Sequence, residues 1–258
     1  MRISIITPSF NQGNYIERTI ESVLNQRGDF ELEYLVVDGG STDRTLDILK
    51  RYEGRLQWIS EKDRGQAHAV NKGLRRVTGD IIGWINSDDR YEAGAFERAV
   101  RVFRLRPDCR WLVGRCRIVD ENDREIRKGI TRYKDYWLDR YDYERLISED
   151  FISQPAVFFR RTFQNEIGLL EEGLHFTMDY DLWLRMGAKV DPVILPEYLA
   201  SFRYHAVSKT KSQLEGSLAE AKRICRRYAK GERRILFRGW LYRMKIRVGY
   251  RFLDWMRG

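Results

Sequence analysis

The chain has 258 residues, 43% apolar and 33% charged, enough for one large α/β domain, and no apolar run reaches the roughly 18 residues that a transmembrane helix requires. The cysteines Cys109, Cys116 and Cys225 include no C-x-x-C pair, which argues against a zinc site and for reduced thiols in a cytoplasmic setting. The net charge of +9 is concentrated in residues 209–258, where fifteen Lys and Arg face four Asp and Glu, so the remainder is close to neutral and offers no basic surface for nucleic acid.

The first residues enter an apolar strand (3–7) almost at once, which leaves no room for a leader, so export is not expected. Pro8 ends that strand. Asn14 is placed to cap a helix whose apolar positions Ile16, Ile20, Val23 and Leu24 recur at helical spacing. A second strand (34–37) runs into Asp38-Gly39-Gly40-Ser41-Thr42-Asp43, and Thr42 or Asp43 opens a helix carrying Leu46, Ile48 and Leu49. A weaker strand (56–60), a helix (66–77), a strand (81–85) and a helix (92–105) stopped by Pro107 follow. This alternation predicts a mostly parallel, doubly wound sheet. Further on, segments 111–119 and 125–131 read as a hairpin around Asp120-Glu121-Asn122-Asp123. Residues 156–160 form a strand and 179–186 a helix, and from residue 212 the chain reads as helical.

In a doubly wound sheet, ligands bind beyond the carboxyl ends of the strands. Pro8-Ser9-Phe10-Asn11, the Asp38–Asp43 loop and Asn86-Ser87-Asp88-Asp89 each follow a strand directly. Asp88 and Asp89, adjacent acids at a strand end, suit Mg²⁺ or Mn²⁺ held jointly with a diphosphate. They also suit a plain helix cap. The glycines of the second loop allow a tight turn and close backbone approach, which fits either a nucleotide site or an ordinary strand-to-helix turn. The absence of G-x-G-x-x-G and of G-x-x-x-x-G-K-[ST] removes the main support for dinucleotide and P-loop readings.

Ile5-Ile6-Thr7-Pro8-Ser9-Phe10-Asn11, Val37-Asp38-Gly39-Gly40-Ser41-Thr42-Asp43, Asp63-Arg64-Gly65-Gln66-Ala67, Asn71-Lys72-Gly73 and Asn86-Ser87-Asp88-Asp89 resemble, in order and spacing, the family-2 glycosyltransferases of the GT-A fold. The resemblance continues through Gln154-Pro155-Ala156 and Met178-Asp179-Tyr180-Asp181 to Arg203-Tyr204-His205. It implies a nucleoside-diphosphate sugar donor, a divalent metal and inversion at the anomeric carbon. Thr7, Pro8, Ser9 and Asn11 correspond to the first wall of the nucleotide site. Asp38 corresponds to the base-recognising residue, with Gly40, Ser41 and Asp43 beside it. Asp63, Gln66 and Lys72 fall on the diphosphate and sugar wall, as do Asn86 and Ser87. Asp88 matches the metal ligand, with His205 as its partner, and Asp179 the general base. Asp89, Gln154 and Asp181 are assigned to the sugar and acceptor side. Asn86 replaces the first acid of the family's D-x-D element, which places the metal claim on Asp88. Asp179 and Asp181, at i and i+2 of one helix, cannot share a face, so one of them is expected to pair with Arg185 instead.

The expected architecture is a GT-A domain over residues 1–210, with a nucleotide-binding half (1–110) and an acceptor-binding half (111–210), followed by a basic helical tail (211–258). In the tail, Phe237, Leu241, Met244, Val248, Phe252 and Trp255 form one helical stripe among Arg and Lys, with Trp240, Tyr242 and Tyr250 near it. That pattern suits an anionic membrane surface at the inner face, with a saccharide or lipid-linked acceptor. It equally suits packing on the main domain or on a second copy of the chain. A nucleotidyltransferase would carry a basic first loop, which Pro8-Ser9-Phe10-Asn11-Gln12-Gly13 lacks. A non-catalytic sugar-nucleotide-binding protein would tolerate loss of Asp179.

Overall fold

Short runs rich in Ile and Val can only be buried strands when both their faces meet helices. In the computed structural model, which describes residues 1–205 and 213–255 and the side chains up to residue 249, they form the middle of one sheet. Strand β1 (Arg2–Ser9) pairs in parallel with β2 (Glu31–Asp38) and β4 (Ile81–Trp84), and β2 with β3 (Gln57–Ser60). Helices α1 (Ile16–Leu24), α2 (Thr45–Arg51) and α3 (Gln66–Leu74) make the crossovers. Gly73 of α3 lies so close to the sheet that a Cβ there would sit 2.5 Å from Ile6 Cγ2.

Beyond β4 the sheet changes direction. Strands β5 (Arg90–Tyr91), β6 (Trp111–Val119), β7 (Val157–Arg160) and β8 (Val193–Arg203) complete an eight-stranded order β3-β2-β1-β4-β7-β6-β8-β5. β7 is antiparallel to β4 and β6, β8 is parallel to β6, and β5 is antiparallel to β8. This mixed, mostly parallel sheet flanked by helices is the predicted class.

Helices α4 (Ala95–Leu105), α5 (Lys128–Leu138), α6 (Tyr143–Ser148), α7 (Arg161–Ile167) and α8 (Met178–Gly187) follow in chain order, then α9 (Leu214–Ala229) and α10 (Arg233–Trp255). The predicted hairpin is not formed. Glu125 makes one antiparallel bridge to Val119 and the chain then coils into α5, while β8 pairs along the opposite edge of β6. Asn14 does not cap α1; its Oδ1 accepts from Arg44 Nη2 at 2.9 Å. Lys230 and Gly231, both at positive φ, break the C-terminal helical stretch in two.

The sheet separates two apolar cores. One of them gathers Trp84, Trp111 and Trp183, with ring centroids 5.6 and 6.1 Å from Trp183, and fixes α8 against β4 and β6. The same core includes Ile224, Cys225 and Ala229 of α9 and Ile235 of α10. The helices that the sequence sets apart as a tail are therefore packed into the main body. On α10, Ile235 and Gly239 are buried and Tyr242 and Ile246 half-buried; of the predicted stripe, Phe237, Leu241 and Val248 are exposed and Met244 half-buried, and Trp240 near it is exposed. The stripe positions Phe252 and Trp255, and Tyr250, lie outside the described side chains.

Candidate active site

The loops after β1 and β2 are tied to each other by side-chain bonds to backbone. Asn11, at φ 52°, accepts from Thr42 N–H at 2.9 Å, and its own N–H donates to Ser41 Oγ at 2.7 Å. Asp43 accepts from Gly13 N–H and Thr45 N–H, each at 2.9 Å, so it both starts α2 and holds the first loop. Burial works against its ionised form, but those bonds win and hold the carboxyl below its usual range. Asp38 is fully buried and receives Gly40 N–H, Ser41 N–H, Ser41 Oγ–H and Ser60 Oγ–H. Four donors on one carboxylate make it the organiser of the turn. Thr7 is likewise buried, 3.1 Å from Tyr34 Oη.

Above these loops opens a cavity of about 610 Å³. Pro8, Ser9, Asp63, Gln66, Asn86, Ser87, Asp88, Gln154, Asp179 and His205 all line it. Thr7, Asn11, Asp38, Gly40, Ser41 and Asp43 are not among its lining residues. Lys72 is a correction: its Nζ pairs with Glu61 at 3.1 Å and donates to the Lys62 carbonyl at 3.2 Å, away from the cavity.

Asp88 and Asp89 part company at the end of β4. Asp88 Oδ2 lies 2.9 Å from His205 Nε2 in the cavity wall. Asp89 is turned inward, where Oδ1 accepts from Arg203 N–H at 2.8 Å and Oδ2 from Asn86 Nδ2 at 3.4 Å. Burial, then the neighbouring Asp88 charge, hold the Asp89 carboxyl well above its usual range. Asp89 is thus a buried link to β8 and not an acceptor contact. The buried Arg203 guanidinium donates to the Asp88 and Asp120 carbonyls and to Asp123 Oδ1, which fastens the Asp88 turn to the end of β6. Asn86 Oδ1 accepts from Gln66 Nε2 at 2.6 Å.

Among the described residues no group of three metal-ligating side chains converges. A carboxylate and an imidazole in contact still fit Mg²⁺ or Mn²⁺, which use one or two protein ligands and complete the shell with phosphate oxygens and water. Asp88 and His205 are the residues that would hold it. Ser9 Oγ is buried with no hydrogen-bond partner, although the residue lines the cavity.

At the other end stands Asp179, in the first turn of α8, half-buried, with Oδ1 accepting from Tyr180 N–H. Burial raises its carboxyl above the ordinary value, against that hydrogen bond and the charge of Lys134. Asp181 points the opposite way. Its carboxylate, 2% exposed, receives Arg185 Nε at 2.9 Å, Tyr228 Oη at 2.8 Å and Arg227 Nη1 at 3.3 Å. Of the two expected roles it takes the pairing one and clamps α8 to α9. A second clamp comes from Glu220 of α9, whose carboxylate accepts from the N–H groups of His175, Phe176 and Thr177 and from Thr177 Oγ1.

Sequence reading missed several cavity residues. Lys134 of α5, Asp150 after α6, and Tyr242, Arg243 and Ile246 of α10 line it, as does His175, which the sequence leaves as a surface residue. Phe10, 58% exposed, also lines the cavity. Only an Asp after an apolar helix end could have drawn notice to Asp150, and many surface acids share that pattern.

A family model described as glycosyl transferase family 2 matches residues 4–167. An uncharacterized glycosyltransferase of Mycobacterium tuberculosis is 28% identical over 239 residues, 90% of this chain and 87% of that protein. One from Rickettsia typhi is 28% identical over 220 residues, 82% and 67% of the two chains. Chondroitin synthase of Escherichia coli is 32% identical over 187 residues, 71% of this chain but 26% of the synthase. The crystal structure of S. aureus TarS 1-349 in complex with UDP-GlcNAc superposes with TM-score 0.67 at 20% identity, over 87% of this chain and 65% of that one. Mannosyltransferase PcManGT from Pyrobaculum calidifontis, in complex with GDP-Man and Mn²⁺, gives 0.63 at 19% identity, over 93% and 73%. At these identities the two structures establish the shared GT-A fold.

Proposed function

Because this chain belongs to glycosyl transferase family 2, we propose that it moves a sugar from a nucleoside-diphosphate donor to an acceptor hydroxyl, with inversion at the anomeric carbon. The observation that carries this reading is one cavity with Asp88 and His205 among its walls together with Asp179, whose carboxyl burial has raised.

The donor's diphosphate lies against Asp88, His205 and Ser9. A bound Mn²⁺ or Mg²⁺ supplies charge neutralisation for the departing nucleoside diphosphate. Phe10 covers the base, and the Asn11, Asp38 and Asp43 network keeps the loops in place without reorganisation. An acceptor hydroxyl is a poor nucleophile near neutral pH. Asp179 takes its proton as it attacks, and a raised carboxyl is better matched to that task than an ordinary one. Gln154 fits the sugar through Oε1, which is buried and unpartnered while its Nε2 donates to the Trp84 carbonyl at 2.6 Å.

The acceptor is a saccharide or a lipid-linked intermediate. No helix among the described residues is long and apolar enough to cross a membrane. The exposed Phe237, Trp240, Leu241 and Val248, in a helix rich in Arg and Lys, suit an anionic membrane surface. Thermal denaturation against UDP, GDP and their sugars, with and without Mn²⁺, tests the donor reading. A metal-dependent rise in Tm with one nucleotide class is expected, and no rise with any of them refutes it.

A further inference from the structure

Asp88 and His205 are 117 residues apart in the chain, yet their side chains meet at 2.9 Å. Local spacing cannot bring them together. One residue, Arg203, is bonded to the turn that carries Asp88 and stands two places before His205. Its side chain is 1% exposed, and each guanidinium nitrogen is spent. Nε donates to the Asp88 carbonyl at 2.9 Å, Nη1 to the Asp120 carbonyl at 2.9 Å and Nη2 to Asp123 Oδ1 at 2.7 Å. The Arg203 backbone N–H takes the Asp89 carboxylate at 2.8 Å, and the next N–H, of Tyr204, donates to the Val119 carbonyl at 2.8 Å. His205 follows and packs on the Tyr15 ring, with centroids 4.5 Å apart. The Arg203 guanidinium carbon lies 5.9 Å from the centroid of that same ring.

A guanidinium is a planar fork of fixed geometry. Bonds from it to the Asp88 turn and to the turn after β6 therefore fix both relative to the end of β8. Its charge does not explain its presence, because a cation beside a divalent-ion site repels the ion. A buried charge also needs a partner, and Asp123 supplies one at 2.7 Å. Asp123 sits at φ 64°, a left-handed conformation that Asp and Asn adopt more readily than most other side chains. We propose that Arg203, neutralised by Asp123, is a positioning residue of the cation site. It holds the Asp88 turn and the His205 end of β8 in register, so that one Mn²⁺ or Mg²⁺ is bound by both side chains. It is neither a ligand nor in contact with a reacting atom. This role rests on the sugar-transfer reading, in which the metal faces the donor diphosphate.

The test is Mn²⁺ binding to the full chain in the presence of UDP or GDP, read from the EPR signal of free Mn²⁺. Near-UV circular dichroism follows the fold of each variant. Arg203→Gln removes a positive charge and leaves Asp123 unpaired, and by charge alone both changes would tighten a cation. Positioning demands the opposite, a fall in Mn²⁺ affinity of about 10–100-fold, the usual cost of losing an outer-shell partner. Arg203→Lys keeps the charge and the pairing with Asp123 but loses the fork, and it should fall in the same direction. Affinity that is unchanged or raised in a folded Arg203 variant overturns the positioning role. Should neither Arg203 variant fold, Asp123→Asn decides. It suits the left-handed backbone and removes only the counter-charge, so Mn²⁺ affinity should drop, and an unchanged value overturns the proposal. Wild type that binds nucleotide but takes up no Mn²⁺ also overturns it and leaves sugar transfer standing. Wild type that binds neither UDP nor GDP, with or without Mn²⁺, refutes the transfer reading itself.

Discussion

The proposed donor end and the proposed acceptor end of the cavity are built in different ways. At the donor end, three loops follow three adjacent parallel strands, and short side chains hold them by bonds to nearby backbone: Asp38 to Gly40 and Ser41, Asp43 to Thr45. At the acceptor end, Lys134, Asp150, Gln154, Asp179 and Tyr242 arrive from separate elements, and helix-to-helix clamps set their places. The donor end is therefore a local construction that sheet topology delivers. The acceptor end exists only once α9 and α10 have docked.

The sharpest way to break this division is Asp179→Asn. It should lower transfer by ~10²–10⁴-fold while the Tm shift produced by donor and metal stays close to wild type. A parallel loss of donor binding would mean that the two ends are not separable. Asp88→Asn is the mirror experiment, with the metal-dependent part of the donor's Tm shift expected to vanish.

Glu220→Ala asks how far the acceptor end depends on the C-terminal helices. It strands three N–H groups and a hydroxyl at the start of α8, for a loss of about 2–4 kcal/mol in urea or thermal unfolding. Burial opposes ionisation of Glu220, but the bonds from Phe176, His175 and Thr177 prevail and hold its carboxyl below the usual range. A lowered folded-state value means that its contribution is complete above the unfolded value of about 4.3 and is lost as pH falls through the folded one. Wild type and variant should therefore converge in stability only once the pH has fallen through the lowered folded-state value of Glu220. An unchanged gap there would assign the effect to packing and not to the charge.

The smallest expected effect is at the outer face of α10. Replacing Phe237 and Trp240 by Ser should reduce flotation with anionic vesicles by roughly tenfold per side chain, from the apolar area withdrawn, without touching turnover of a soluble acceptor. If the wild type never floats with such vesicles, that face is not a membrane surface.

The amino-acid sequence by itself determined the β1–β4 frame and the donor-end loops, because period-two and helical apolar spacing and turn chemistry act over a few residues. It also marked Asp88 and Asp179, and the i, i+2 geometry foresaw that one of Asp179 and Asp181 would face away to pair with Arg185. Tertiary structure alone decided the rest. Which of two adjacent acids at the end of β4 faces the cavity depended on β8, whose Arg203 N–H captures Asp89. Asp150 became a cavity residue through the distant Tyr180 and Tyr242 that pin its loop. The stripe on α10 was legible as a stripe, but its exposure followed from the opposite face, Ile235, Gly239, Tyr242 and Ile246, being turned to the domain. In each case the deciding partner lies far along the chain, where local spacing carries no information about contact.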